Sequence, residues 1–98
     1  GGVMTMNEYP AVMTIDQILD QRETVYGRFP TVAAASQALS NALHMPSGWS
    51  QLPAYQREAL ELIANKMARI VASGNSTYED SWVDISGYAE LVLREMRR

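Results

Sequence analysis

The chain contains no cysteine and a single histidine, His44. The first absence removes disulfides, thiol catalysis and cysteine-held metal together, and fits a reducing compartment. A lone histidine with no cysteine beside it leaves a zinc site without a ligand set, so His44 is expected to sit solvated at a helix end. No run approaches the roughly 20 apolar residues that a membrane span requires. No basic segment followed by an apolar core opens the chain, so no signal peptide is expected. A glycine-rich phosphate loop and a serine nucleophile elbow are both missing. Positive charge is in short supply as well: 8 Lys and Arg against 11 Asp and Glu, a net charge of −3. That balance argues against non-specific nucleic-acid binding, which needs a basic footprint. Strand-type alternation is absent throughout, and no repeat or low-complexity segment is present. Taken together, these features predict a soluble, cytoplasmic protein.

What is present is helical patterning on a scale of one domain. Ninety-eight residues fit a single domain, and one of this size buries only about two-thirds of its unfolded surface. A sizeable ligand site is therefore expected in a surface groove or between subunits. Residues 1–13, which include Pro10, lack periodicity and read as a flexible arm. Gly1 and Gly2 read as a non-native remnant, with Met4, Met6 or Met13 as the start. Residues 14–98 form the helical domain. Thr14-Ile15-Asp16-Gln17 matches a capping box, followed by Ile15, Ile18, Leu19 and Arg22 on one face. The stretch Val25-Tyr26-Gly27 then breaks the helix. Pro30 suits the first turn of a second helix, with Val32, Ser36, Leu39 and Leu43 in one stripe. Ala35, Ala38 and Ala42 beside that stripe imply close approach to a neighbour. Pro46 and Gly48 end it, and Trp49 in the next loop reads as a lid over the core. A third helix starts near Pro53, repeats Ala59, Ile63, Met67 and Ile70 on one side, and ends at Gly74. Ser76-Thr77-Tyr78-Glu79 matches a second capping box and opens a fourth helix, whose main apolar face is Trp82, Ile85, Ala89, Val92 and Met96. The expected fold is all-α, a four-helix antiparallel bundle with helices near 14–24, 30–45, 53–73 and 77–96. A homo-oligomer is expected too, because the fourth helix offers two contact faces and so short a chain gains from burying one against a copy.

The apolar pattern is broken in one region. On a helical wheel Lys66 falls inside the apolar arc of the third helix, with Arg69 and Glu58 at its edge and Glu61 turned toward solvent. A lysine there must snorkel, find a carboxylate or bind an anion. Asp80, Asp84, Gly87 and Leu91 line one side of the fourth helix. A short connection makes the two helices antiparallel, and a turn centred near residue 75 makes facing positions sum to about 150. Lys66 is then opposite Asp84, Arg69 is near Asp80 or Ser81, and Gly87 permits a close approach. Such a ladder serves equally as two structural ion pairs or as a polar site, with Lys66 and Arg69 holding phosphate and the aspartates holding a divalent cation.

The run Ala59-Leu60-Glu61-Leu62-Ile63-Ala64-Asn65-Lys66-Met67-Ala68-Arg69-Ile70, then Gly74, then Asp80-Ser81-Trp82-Val83-Asp84-Ile85-Ser86-Gly87-Tyr88, resembles a family of small bacteriophage and prophage proteins of unknown function. That family carries Lys-x-x-Arg-Ile, a glycine, Asp-Ser-x-x-Asp-x-x-Gly-Tyr and an upstream Tyr-Gly, matched here by Tyr26-Gly27. The resemblance spans about residues 14–93. It extends distantly to the MazG-type all-α nucleoside triphosphate pyrophosphohydrolases, which hold Mg²⁺ with acid pairs on two successive helices. The resemblance implies a nucleotide- or phosphate-binding helical protein, with Lys66, Arg69, Arg22 and Tyr26 as the phosphate-binding set. It implies Mg²⁺ on Glu58, Glu61, Asp80 and Asp84, and thus a pyrophosphohydrolase relative. Lys66 departs from that pattern, since it stands where a metal site would place another acid. The alternative is a non-enzymatic phage accessory factor in the host-cell cytoplasm that binds a host protein or sequesters a nucleotide signal.

Overall fold

A computed structural model describes residues 13–98, and residues 1–12, where most of the expected arm falls, lie outside the described part. The fold is all-α: α1 (Ile15–Tyr26), α2 (Phe29–His44), a 3₁₀ turn (Ser47–Gln51), α3 (Ala54–Ser73) and α4 (Asp80–Met96), with no strand among the described residues. No helix is long and apolar enough to cross a membrane among those residues.

Local chemistry accounts for most boundaries. The capping box at Thr14 forms in both directions: the Gln17 N–H donates to Thr14 Oγ1 at 3.1 Å, and the Thr14 N–H donates to Gln17 Oε1 at 2.9 Å. The box satisfies two of the donors that a helix start leaves unpaired. The helix continues through Val25 and Tyr26, and Gly27 alone ends it, donating its N–H to the Glu23 carbonyl at 2.8 Å. Pro30 lies in the first turn of α2, where its missing N–H costs no hydrogen bond. Gly74 closes α3 in the left-handed region at φ 64°, with its N–H on the Ile70 carbonyl.

The second capping box, Ser76 to Glu79, does not form. Asn75 Oδ1 instead accepts from the Thr77 N–H at 3.1 Å and from its hydroxyl at 2.9 Å. This side-chain turn competes with helix initiation. The fourth helix therefore begins at Asp80, three residues later than position 77, from Glu79 with no side-chain cap.

α3 is the spine on which the other three helices pack. Glu61 and Asn65 face α2, where they meet Ser40 and Ser36. Lys66 faces α4 through Asp84, and Arg69 and Ala72 face the end of α1. The buried residues are small: Ala59, Ala64, Ala68 and Ser81. Small side chains let helix backbones approach closely, but they leave little apolar volume inside.

The inner face of α4 keeps Ile85 and Val92 of the face expected on periodicity but is rotated away from its Trp82 side. Ser81 is buried, and Ile85, Tyr88 and Val92 are half-buried beside it. Trp82 (58% exposed), Ala89 and Met96 turn outward. The Lys66–Asp84 pair and the small Ser81 set this rotation. Ala38 and Ala42 of α2 also remain exposed, so within this chain only Ala35 of that trio is half-buried. Gly87 opens no approach to α3 either, since a Cβ built there meets nothing within 4 Å.

Gly27 is the most constrained backbone position. Its φ of 89° and ψ of 170° lie in a region that is essentially glycine's alone. A Cβ there would stand 2.9 Å from the Ala72 carbonyl carbon. Gly27→Ala is expected to lower stability by about 3 kcal/mol, through both backbone strain and the clash. Gly74→Ala, which meets open space, should cost about 1 kcal/mol. Thermal melts of the two variants check the order.

Candidate functional site

The turn at Gly27 sets the last turn of α1 against the C-terminal half of α3. Arg22 and Tyr26, one helical turn apart, project from the same side of α1, and Asn65 and Arg69 share a side of α3. They meet in a groove of about 440 Å³ whose apolar wall includes Leu19, Phe29 and Val32, with Glu23 at its edge. Both guanidinium carbons lie over the Tyr26 ring, Arg22 at 5.3 Å and Arg69 at 4.9 Å from its centroid. Each such contact contributes about 0.5–1 kcal/mol at an exposed site. Among the described residues neither guanidinium has a carboxylate within 4.0 Å. Two like charges thus meet at one aromatic ring, with their donors uncommitted to an acid among the described residues.

Tyr26 is braced from behind. The Tyr78 ring meets it edge-on at 5.8 Å and 75°, a favoured aromatic geometry. The Tyr78 hydroxyl donates to Asp80 Oδ2 at 2.8 Å. The Tyr26 side chain, then the Asp80 carboxylate, raise the Tyr78 phenol above its ordinary pKa. Asp80 therefore anchors a tyrosine pair.

The expected charge ladder has one rung. Lys66 Nζ lies 3.2 Å from Asp84 Oδ2, in the register that the short α3–α4 connection implies. Arg69 does not reach Asp80, because it turns toward α1 and is taken up by Tyr26. Lys66 lies outside the Arg22–Tyr26–Arg69 groove. The wheel position of Lys66 aimed it at α4, whereas Arg69, three residues on, is aimed at α1.

The four acids considered for Mg²⁺ are dispersed. Glu61 is not turned to solvent. It is half-buried against α2, where its Oε1 accepts from Ser40 Oγ at 3.1 Å and bonds His44 Nε2 at 2.8 Å. Glu58 lies at the other end of the α3–α4 seam, near Tyr88 and Glu95. Asp80 holds Tyr78 and Asp84 holds Lys66. Among the described residues no group of three or more His, Asp or Glu side chains could hold a metal ion. The donor set does not fit the Mg²⁺ centre that the resemblance implied.

Several contributors escape sequence reasoning. Asn65 is readable in hindsight, one turn before Arg69. Phe29 and Tyr78 are not, since nothing local to either points at α1. His44 ends α2 as expected, but it is engaged twice, by Glu61 and by Trp49, whose ring centroid is 4.6 Å away. Trp49 thus covers a histidine–carboxylate pair.

The chain matches no protein-family model, no curated protein and no solved structure.

The Lys66–Asp84 pair joins a largely buried lysine, 14% exposed, to a half-exposed aspartate, 46% exposed. Lys66→Met should be neutral or slightly stabilising, because an apolar isostere avoids the desolvation cost. Asp84→Ala should cost about 1–2 kcal/mol, since it strands the ammonium but leaves it a route to water. Chemical denaturation of both variants measures the asymmetry.

Proposed function

We propose that this chain is a small helical nucleotide- or phosphate-binding protein that uses the groove between α1 and α3. The observation that carries the reading is the convergence of Arg22 and Arg69 over Tyr26 with no carboxylate partner among the described residues. Guanidinium forks match phosphate oxygens bidentately. The Tyr26 ring and the apolar wall offer an adjoining surface to a planar base, and base–aromatic stacking contributes about 1–3 kcal/mol. A protein with an overall negative charge has little general attraction for anions, so this local cluster would supply the selectivity.

Binding without turnover fits this site better than hydrolysis. Pyrophosphohydrolysis by the resembled enzymes requires clustered acids, whereas Glu61, Asp80 and Asp84 are engaged in separate places and Glu58 lies apart from them, near Tyr88 and Glu95. A phage accessory factor that sequesters a nucleotide in the host cytoplasm suits the phosphate set without asking for a metal centre. The same reading takes the chain to be a homo-oligomer. Large apolar side chains such as Ile15 (72% exposed) and Phe29 (77% exposed) stand in water, and burying one of that kind is worth about 1.5–3 kcal/mol.

Arg69→Ala and Arg22→Ala should each weaken binding of nucleoside triphosphate or pyrophosphate by about tenfold or more, and lower the melting temperature by no more than the few degrees that one lost cation–π contact costs. Lys66→Met should leave affinity in place. Calorimetric titration with and without Mg²⁺ tests the reading. Equal affinity for all four proteins would remove the groove as the site, and Mg²⁺-dependent release of pyrophosphate would replace sequestration by catalysis. Light scattering at high micromolar concentration should show more than a monomer, and a strict monomer would end the oligomer reading.

A further inference from the structure

The outer face of α4 presents a charge and shape pattern that the chain itself does not use. Gly87 lies in the middle of this helix, exposed, and a Cβ added to it meets nothing within 4 Å. Glycine in a helix interior costs roughly 1 kcal/mol relative to alanine, and no contact among the described residues requires it. Val83 (63% exposed) and Leu91 (57% exposed) flank it, four residues to either side. A shallow groove of about 430 Å³ runs along Val83, Gly87, Leu91 and Arg94, with Asp84, Tyr88 and Glu90 in its walls. The spacing Asp80, Val83, Gly87, Leu91, Arg94 keeps these residues on one side of the helix, away from the Ser81, Ile85 and Val92 face that packs on α3.

The charge along α4 is polarised. Glu79 and Asp80 stand at its start, and Arg94, Arg97 and Arg98 at its end. Asp80 and Arg94 are about 21 Å apart along the axis at 1.5 Å per residue, so they cannot pair within one chain. We propose that this face is the interface with a second copy of the chain, the two α4 helices crossing antiparallel on a two-fold axis at Gly87. This rests on the homo-oligomer reading above, and the face touches the anion groove only through Asp80, which holds Tyr78 behind Tyr26. The two-fold sets Val83 against the partner's Leu91, and Asp80 against the partner's Arg94, each twice. A parallel pairing would set Asp80 on Asp80 and Arg94 on Arg94, and like charges repel. The antiparallel register brings two like-charged pairs together: Asp84 with the partner's Glu90 and, farther round the helix, Glu79 with the partner's Glu95. Their cost is reduced because Lys66 Nζ stands 3.2 Å from Asp84 and Arg98 Nε 3.5 Å from Glu95. Isologous contacts of this kind are self-complementary by construction, and glycine at the crossing lets the two backbones close.

Cysteine cross-linking tests the face, since the chain has no cysteine of its own. Gly87→Cys places two thiols at the axis, within disulfide reach. Ala89→Cys places them on the other exposed side of α4, with Trp82 and Met96. Under mild oxidation at low micromolar concentration, Gly87→Cys should cross-link into a covalent dimer and Ala89→Cys should remain single. The reverse result, or a light-scattering dimer that neither variant captures, overturns this face but leaves the oligomer standing. A strict monomer overturns both. Charge exchange tests the direction of crossing. Arg94→Glu should weaken dimerisation by about tenfold through two repulsive pairs. Arg94→Glu together with Asp80→Arg should return it to within about threefold of the native chain. A double variant no better than the single one overturns the antiparallel register. Circular dichroism equal to that of the native chain confirms that each variant is folded.

Discussion

The contact of Gly27 with the backbone of Ala72 is the constraint on which the candidate site depends. A short helix like α1 holds its place through packing more than through its own propensity. Here the approach is closer than any Cβ allows, 2.9 Å to the Ala72 carbonyl carbon. That closeness brings the last turn of α1 within reach of α3, so that Tyr26 is met by Arg69 from one side and Tyr78 from another. Moving α1 outward by the width of a methyl group would separate the rings and guanidiniums that form the groove. Tyr78 and Asp80 add a second tie from the α3–α4 connection, so three parts of the chain determine where one aromatic ring stands.

The charged residues of α3 divide according to which neighbour each one faces. Lys66 and Arg69 are three residues apart and look like members of one cluster. One is matched by Asp84, and the other lies against Tyr26 beside Arg22. Pairing with an acid makes Lys66 a structural element whose worth is limited by desolvation. Sharing a ring with a second guanidinium leaves Arg69 available to an anion, because a cation–π contact does not neutralise its charge. Glu61 shows the same division from the acidic side. Held by His44 and Ser40, it locks the register of α2 on α3 and is removed from any common site with Asp80 or Asp84.

The chain buries little apolar volume for its length. Among the described residues the buried side chains are alanines and a serine, while valines, leucines and a tryptophan stand on outer faces. Burial of apolar surface is the main source of folding free energy, so such an arrangement is more readily sustained when a partner covers one of those faces. α4 is the natural place, since its inner contact with α3 leaves two sides exposed and only one of them carries a glycine groove with opposite charges at its ends.

The sequence by itself determined the helical class and most of the boundaries, because those depend on neighbours within a few residues: the Thr14 capping box, Pro30, Gly74 and the 3.6-residue periodicity. It also determined that Lys66 meets Asp84, because a short antiparallel connection propagates register from a local turn. It misjudged the start of α4, where Asn75 outcompetes Ser76 for the local backbone, and the inner face of α4, where a buried serine displaces the larger apolar side chains. Only the tertiary structure decided that Arg22, Tyr26 and Arg69 share one groove while Glu58, Glu61, Asp80 and Asp84 share none. Helical periodicity states which residues lie on the same side of one helix. It does not state which of several neighbours that side will meet, and the single chain contact that answers this, Gly27 on Ala72, joins residues with 44 positions between them.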